Sequence, residues 1–240
     1  MSGGQPSADA GSDGRAGRGG AAAVLFDMDG LLVDSEPVWT VAETELAHRL
    51  GSEWTPAIKD SVIGKSLPIA IPIILRLLDA EDADPEETSA WLLNRMVELF
   101  SAALPLRPGA LRLLDALAGE GVPLGLVSSS YRVLVDAALA ELGPERFAVT
   151  VAGDEVRHPK PHPEPYLTAA ARLGHPPELC VVLEDSPSGI ASAEAAGCCV
   201  VAVPDHVAIE PAPTREVVAS LADVDVGWLL ALPATLSRAG

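Results

Sequence analysis

Positive charge is in short supply in this sequence. Against 34 Asp and Glu it carries 16 Lys and Arg, a net charge of −18. A surface of that sign repels phosphate backbones and anionic lipid, so binding nucleic acid or a membrane through a general basic face is excluded. Any anionic ligand meets the same unfavourable field, and its site has to supply its own cation. Cysteine is scarcer still. Cys180, Cys198 and Cys199 lie in apolar runs, two of them adjacent, with no zinc spacing and no paired framework. They read as reduced core thiols, which fits a cytoplasmic protein. Long apolar runs are missing too. Ile69 to Leu78 comes nearest, and Pro72 and Arg76 interrupt it, so no membrane span is expected. Residues 1–22 are rich in Gly, Ser, Ala and Asp and lack the apolar stretch of a signal peptide, so they read as a disordered tail. Arg15 to Gly20 faintly resembles an RGG segment, with too few arginines to act as one.

What remains is a globular chain. With 240 residues, 48% of them hydrophobic, it can bury one sizeable core, or one core plus a smaller appended domain. The stretch from Val24 to Ser35 organises it. A short apolar run, Val24-Leu25-Phe26, reads as a buried strand and ends in Asp27 and Asp29, then Gly30. Two acids at i and i+2 continuing a strand point the same way. Like charges about 4 Å apart repel by roughly 4 kcal/mol at an effective dielectric near 20, so a cation is expected beside them. An Asp-rich turn is the plainer alternative. A calcium loop fits less well, because Leu31 stands where an oxygen ligand is needed.

From about Glu36 to Leu104 the pattern is helical and offers no strand. Val38, Val41, Ala42, Leu46 and Leu50 recur at helical spacing up to Gly51, and Ile69, Ile73, Leu77 and then Leu92, Met96, Leu99 predict further helices. This reads as a small helical domain inserted after the first strand. From Pro108 helix and strand alternate. Pro108 suits a first helical position, and strands are expected over 122–127, 147–151, 180–183 and 199–203. Ser128-Ser129-Ser130 opens a helix ending at Gly143, and Pro163 to Leu173 forms another. Ser186, Pro187 and Gly197 supply an N-cap, N1 and C′ for a helix after Asp185, and a terminal helix lies near Val226 to Leu232. The order beyond Pro204 is less clear. Strands joined by crossover helices predict an α/β fold with a doubly wound parallel sheet. The division is then a tail over 1–22, a core over 23–35 and 105–240, and a helical cap over 36–104.

Four expected strand ends carry polar groups: Asp27 with Asp29, Ser128, the Lys160 loop, and Glu184 with Asp185. In open α/β sheets the ligand crevice lies outside those ends. Alone, Ser128 or Ser130 reads as an N-cap, Lys160 as a surface lysine, and Glu184-Asp185 as an acidic helix start. Their joint order resembles the four motifs of the haloacid dehalogenase-like hydrolase superfamily, from about residue 24 to 205. The helical insert is similar to the small cap of the β-phosphoglucomutase-like subgroup. Asp34-Ser-Glu-Pro-Val-Trp39 with Ala42-Glu43, and Lys160-Pro-His-Pro-Glu-Pro-Tyr-Leu167, resemble the bacterial sugar- and hexitol-phosphate phosphatases.

The resemblance implies an enzyme. Asp27 would be the nucleophile that forms an aspartyl-phosphate, and Asp29 the acid that protonates the leaving alcohol and then activates water. Mg²⁺ would bind Asp27, the Asp29 carbonyl and Asp185, with Glu184 as a direct or water-mediated supporter. Ser128, with the Ser129 amide, would hold phosphate oxygens, and Lys160 would pair with Asp27 and the transferring group. Trp39, Glu43 and Lys65 are candidate cap contacts to the substrate. Relatives that act as sugar-phosphate mutases carry His where Trp39 stands and Arg near Leu67, so transfer to water is favoured over mutation. Dehalogenases lack the second Asp, and the surroundings of Lys65 do not match a Schiff-base cap lysine. His158 and His162 straddle Lys160, and the prolines that hold that loop favour a structural reading over ligation. The expectation is a cytoplasmic, monomeric, Mg²⁺-dependent phosphatase of small phosphorylated sugars or polyols, with a mutase or a non-catalytic binding protein as alternatives.

Overall fold

A computed structural model of the protein describes residues 20–205 and 207–236. Most of the expected tail, residues 1–19, lies outside the described residues. The described part of it is held: Ala21 donates its amide to the Leu230 carbonyl at 2.7 Å and Ala22 to Leu179 at 2.8 Å. Ala21 and Ala22, assigned to the tail from composition, are therefore held against the core.

Six parallel strands form one sheet, in the order β3-β2-β1-β4-β5-β6. They are β1 (Ala23–Phe26), β2 (Leu124–Val127), β3 (Val149–Val151), β4 (Cys180–Glu184), β5 (Cys199–Ala202) and β6 (Arg215–Val217). The centre is β1, paired with β2 on one side (Phe26 beside Leu126) and β4 on the other (Phe26 beside Leu183). It is apolar throughout because helices cover both faces. Alternation sorts its side chains: Val24 and Phe26 join one core layer, Ala23 and Leu25 the other. The first layer is closed by α5 (Ala110–Gly119), α6 (Arg132–Leu142) and α9 (Val226–Leu236), the second by α7 (Glu164–Leu173) and α8 (Pro187–Ala195). The three cysteines are buried and unbridged, as their apolar neighbours predict.

Between β1 and α5 the chain makes the helical insert: α1 (Glu36–Arg49), α2 (Pro56–Val62), α3 (Leu67–Leu77) and α4 (Pro85–Ala102). Thr55 caps α2 by accepting from the Ile58 amide, and Asp84 caps α4 by accepting from Glu86 and Glu87. The outgoing and returning connections run side by side. Asp34 donates to the Pro105 carbonyl at 2.8 Å, and Arg107 to Leu32 at 2.9 Å. Among the described residues no helix is long and apolar enough to cross a membrane.

Several local expectations are corrected. The short edge strand β6, Arg-Glu-Val, escapes periodicity because it has only three residues and none of them is fully buried. Pro108 does not start α5; Gly109 caps it at φ +88°, and its missing Cβ makes room for the Ala222 backbone. The serines after β2 stay outside α6, whose N-cap is Tyr131. Helix α3 buries Ala70, Ile71, Ile74 and Leu75, leaving Ile69 and Leu77 exposed, and Val41 of α1 is exposed as well. A helix hydrophobic all round gives its period no way to mark the inner face.

Candidate active site

The crevice forms where four carboxyl strand ends meet. Asp27 follows β1, Ser128 follows β2, Glu184 ends β4 with Asp185 beyond it, and the loop after β3 delivers Lys160. Since β1 lies between β2 and β4, Asp27 is central. Lys160 Nζ, whose side chain is only 3% exposed, reaches Asp27 Oδ1 at 2.5 Å, Glu184 Oε1 at 2.6 Å and the Val127 carbonyl at 2.9 Å. Those contacts use all three protons of the ammonium. The two ends of β1 and β4 are thus tied by one buried cation.

Glu184 is fully buried, and its two oxygens accept five hydrogen bonds. Lys160 and the Tyr166 hydroxyl (2.7 Å) meet Oε1; the Asp185 and Ser186 amides and the Ser186 hydroxyl meet Oε2. The ring of Tyr166 also lies under the ammonium, 4.9 Å from ring centroid to Nζ. Gly189 is required here for space alone, since a Cβ would lie 1.7 Å from Glu184 Oε1.

Asp29 is gripped by three hydroxyls. Ser35 donates to Oδ1 at 2.7 Å, and Ser130 (2.8 Å) and Ser128 (3.2 Å) donate to Oδ2. Three donors on two oxygens leave the carboxyl one orientation, pointing into the crevice shared with Asp27. Gly30, which follows it, has φ +83°, and a Cβ there would lie 2.2 Å from Asp185 Oδ2. Only glycine satisfies both demands.

Crowding shapes the electrostatics. Burial pushes the Asp27 carboxyl well above its ordinary range; Lys160 pulls it down, while Glu184, Asp185 and Asp29 push it up. Burial pushes Asp185 up to about 7, with Glu184 adding repulsion and Lys160 opposing. Burial acts to lower Lys160, but the Asp27 and Glu184 carboxylates outweigh it and raise the ammonium above its ordinary value.

A family model described as haloacid dehalogenase-like hydrolase matches residues 21–197, which span every group named so far. The chain belongs to that family. Among its relatives, the phosphorylated carbohydrates phosphatase of Thermotoga maritima is 34% identical over 176 residues, covering 73% of this chain and 81% of that one. Hexitol phosphatase B of Escherichia coli is 30% identical over 187 residues, covering 76% and 83%. A crystal structure of CbbY from Rhodobacter sphaeroides in complex with xylulose-(1,5)bisphosphate superposes with a TM-score of 0.78 at 26% identity, over 87% of this chain and 99% of that one.

In this HAD-like hydrolase the acidic cluster suits a hard divalent cation. Ligand atoms of Asp27, Glu184 and Asp185 all lie within 4.8 Å of one another, three carboxyl groups beside the ammonium of Lys160. Of the cap residues named from sequence, Trp39 and Glu43 stand on α1. Trp39 packs partly buried against the main core, and Lys65 is exposed between α2 and α3. Glu43 buries Oε2 without a hydrogen-bond partner, and burial pushes its carboxyl up to about 7 against the pull of Lys59. What the insert does present is Lys59, bonded to Glu36 at 2.9 Å and Thr40 at 2.7 Å. These line a cleft of about 500 Å³ with Asp34, Pro37, Ile63 and Arg107, beside the two connections that join the insert to the core.

Sequence reasoning missed Ser130 and Tyr166 as functional groups. Ser130 was hidden by its ordinary role as a cap in a serine run. Tyr166 lies six residues past Lys160 in a helix, with no local sign that its hydroxyl would meet β4.

Proposed function

We propose that the chain is a Mg²⁺-dependent phosphatase that hydrolyses small phosphorylated sugars or polyols through an aspartyl-phosphate on Asp27. One observation carries the reading. Two carboxylates two residues apart take opposite treatments, Asp27 facing a buried ammonium at 2.5 Å and Asp29 facing three hydroxyls. That division supports a nucleophile beside a proton carrier, which is what covalent transfer of a phosphoryl group needs. The relatives that act on phosphorylated carbohydrates and hexitols support the substrate class.

In the first step an Asp27 oxygen attacks phosphorus, and the bond to the leaving oxygen breaks as Asp29 protonates it. In the second, Asp29 takes a proton from water as the water oxygen attacks the same phosphorus. The Asp27–phosphorus bond then breaks and inorganic phosphate leaves. Lys160 offsets the charge of Asp27 and of the incoming phosphoryl oxygens, and Tyr166 and Glu184 hold it there. Ser128 and the Ser129 amide border the phosphate position. Asp27, Asp185 and the Asp29 carbonyl would hold Mg²⁺. Glu184, its oxygens already filled, would support Lys160 and the Asp185 turn. The metal, when bound, supplies charge neutralisation between carboxylates and phosphate.

Residues 36–104 would act as a unit that closes the crevice and reads the leaving group through the Glu36, Thr40 and Lys59 cleft, with Trp39, Glu43 and Lys65 as further contacts. Leu67, an apolar residue at the start of α3, supports release to water over a mutase that must grip a second phosphate. Phosphate release measured with and without Mg²⁺ on a panel of sugar, polyol and nucleotide phosphates tests the proposal. Asp27→Asn should lose at least about 10³-fold in turnover, of the order seen when a covalent nucleophile is removed. Undiminished turnover in that variant would overturn the mechanism, and nucleotides preferred over sugars and polyols would overturn the substrate class.

A further inference from the structure

Outside the crevice, the loop that delivers Lys160 carries a second cluster of donor atoms. His158 and His162 stand two residues to either side of Lys160, and Glu164 opens α7 just beyond them. Ligand atoms of the three all lie within 4.8 Å of one another. His158 Nδ1 is 2.7 Å from Glu164 Oε2, and the two imidazole rings face each other with centroids 4.6 Å apart.

The carboxylate between them is fixed by the backbone. Glu164 Oε1 accepts from the Arg157 amide at 2.8 Å and Oε2 from the His158 amide at 3.1 Å. The Arg157 amide first, with His158 beside it, holds this carboxyl below its ordinary range and therefore ionised. On the far side, the Ser192 hydroxyl of α8 donates to the His162 carbonyl at 2.6 Å. Pro159, Pro161 and Pro163 alternate through the loop, so its path is stiff where it carries the histidines. His162 Nδ1 accepts a long 3.2 Å bond from the Glu164 amide, so its lone pair is held only by a weak donor.

We propose that His158, His162 and Glu164 form a second metal site, for a borderline divalent ion of the Zn²⁺ type, that clamps the Lys160 loop. Two imidazoles and one carboxylate are a donor set for such ions, in contrast to the all-oxygen crevice that suits Mg²⁺. Zinc bonds of about 2.0–2.2 Å place tetrahedral ligands roughly 3.4 Å apart. Small rotations of two exposed side chains bring donors now within 4.8 Å to that spacing. The ion takes the place of the proton between His158 and Glu164, exchanges the long His162 bond for a metal bond, and keeps a fourth position for water. It then bridges the two arms of the loop and ties both to the first turn of α7.

The test is a binding measurement and stands apart from the phosphatase reading. Co²⁺ is added to the full chain in excess Mg²⁺ and followed by visible absorption, then displaced with Zn²⁺. The comparison is His158→Ala/His162→Asn; both positions are exposed, and Asn keeps an acceptor for the Glu164 amide. A second pair is made in an Asp27→Asn/Asp185→Asn background, where the acidic cluster no longer competes. The expected result is one four-coordinate equivalent in each parent and at least about tenfold weaker uptake in each histidine variant. Equal uptake with and without the histidines overturns the proposal, and so does the absence of a bound equivalent in the parents.

Discussion

Glu43→Gln should make the protein more stable at pH 8 and leave it unchanged at pH 4.5. Glu43 sits on α1 with Oε2 buried and unpartnered, and burial raises its carboxyl from 4.5 to about 7. The folded chain therefore keeps a proton that the unfolded chain releases. Below pH 4.5 both states hold it and the group contributes no difference. Between 4.5 and 7 the unfolded state ionises first, so stability falls as pH rises, and above 7 the full cost of a buried charge is present. At about 1.36 kcal/mol per pH unit that cost is about 3.4 kcal/mol, and solvent screening at a partly exposed group reduces it to roughly 2 kcal/mol. The amide has nearly the same shape without the charge. Urea unfolding of both proteins from pH 4.5 to 8.5, at equal slope, should give curves that coincide at the acid end and separate by about 2 kcal/mol at the alkaline end. A separation independent of pH would refute the reasoning, because it would place the effect in packing.

Two further outcomes follow from the crevice. Tyr166→Phe removes one hydroxyl from Glu184 and leaves the ring under Lys160, so it should cost about 2 kcal/mol, read as a Tm lowered by roughly 4–8 °C. Gly30→Ala combines a left-handed backbone with a Cβ 2.2 Å from Asp185 Oδ2. Its phosphate release should fall at least about 100-fold while thermal unfolding shows a loss of roughly 1–3 kcal/mol.

Of the candidate site, the groups at strand ends were legible because a buried parallel strand announces itself. An apolar run such as Leu25-Phe26 or Val181-Leu183 has one outcome in a chain of this composition, and an acid that terminates it must sit at the rim. Asp27, Asp29, Glu184 and Asp185 are all found that way, but the cation expected between Asp27 and Asp29 is Lys160 set between Asp27, at 2.5 Å, and Glu184, at 2.6 Å. Residues on helices were legible as helix but not by face. Ile69 and Leu77 look like core in α3 and are exposed, because neighbouring apolar residues compete for the inner side.

The sequence by itself determined the parallel α/β order, the helical insert after the first strand, and the four chemical groups that close on one crevice, since periodicity and turn chemistry act within a few residues. Tertiary structure alone decided the rest. It chose which hydroxyls hold Asp29, filled Glu184 with five donors, brought Tyr166 beneath Lys160, and laid Lys59 against Glu36 and Thr40. Those pairings join residues up to 101 positions apart in the chain. No local rule reaches that far; only the packing of one element against another sets which side chains meet.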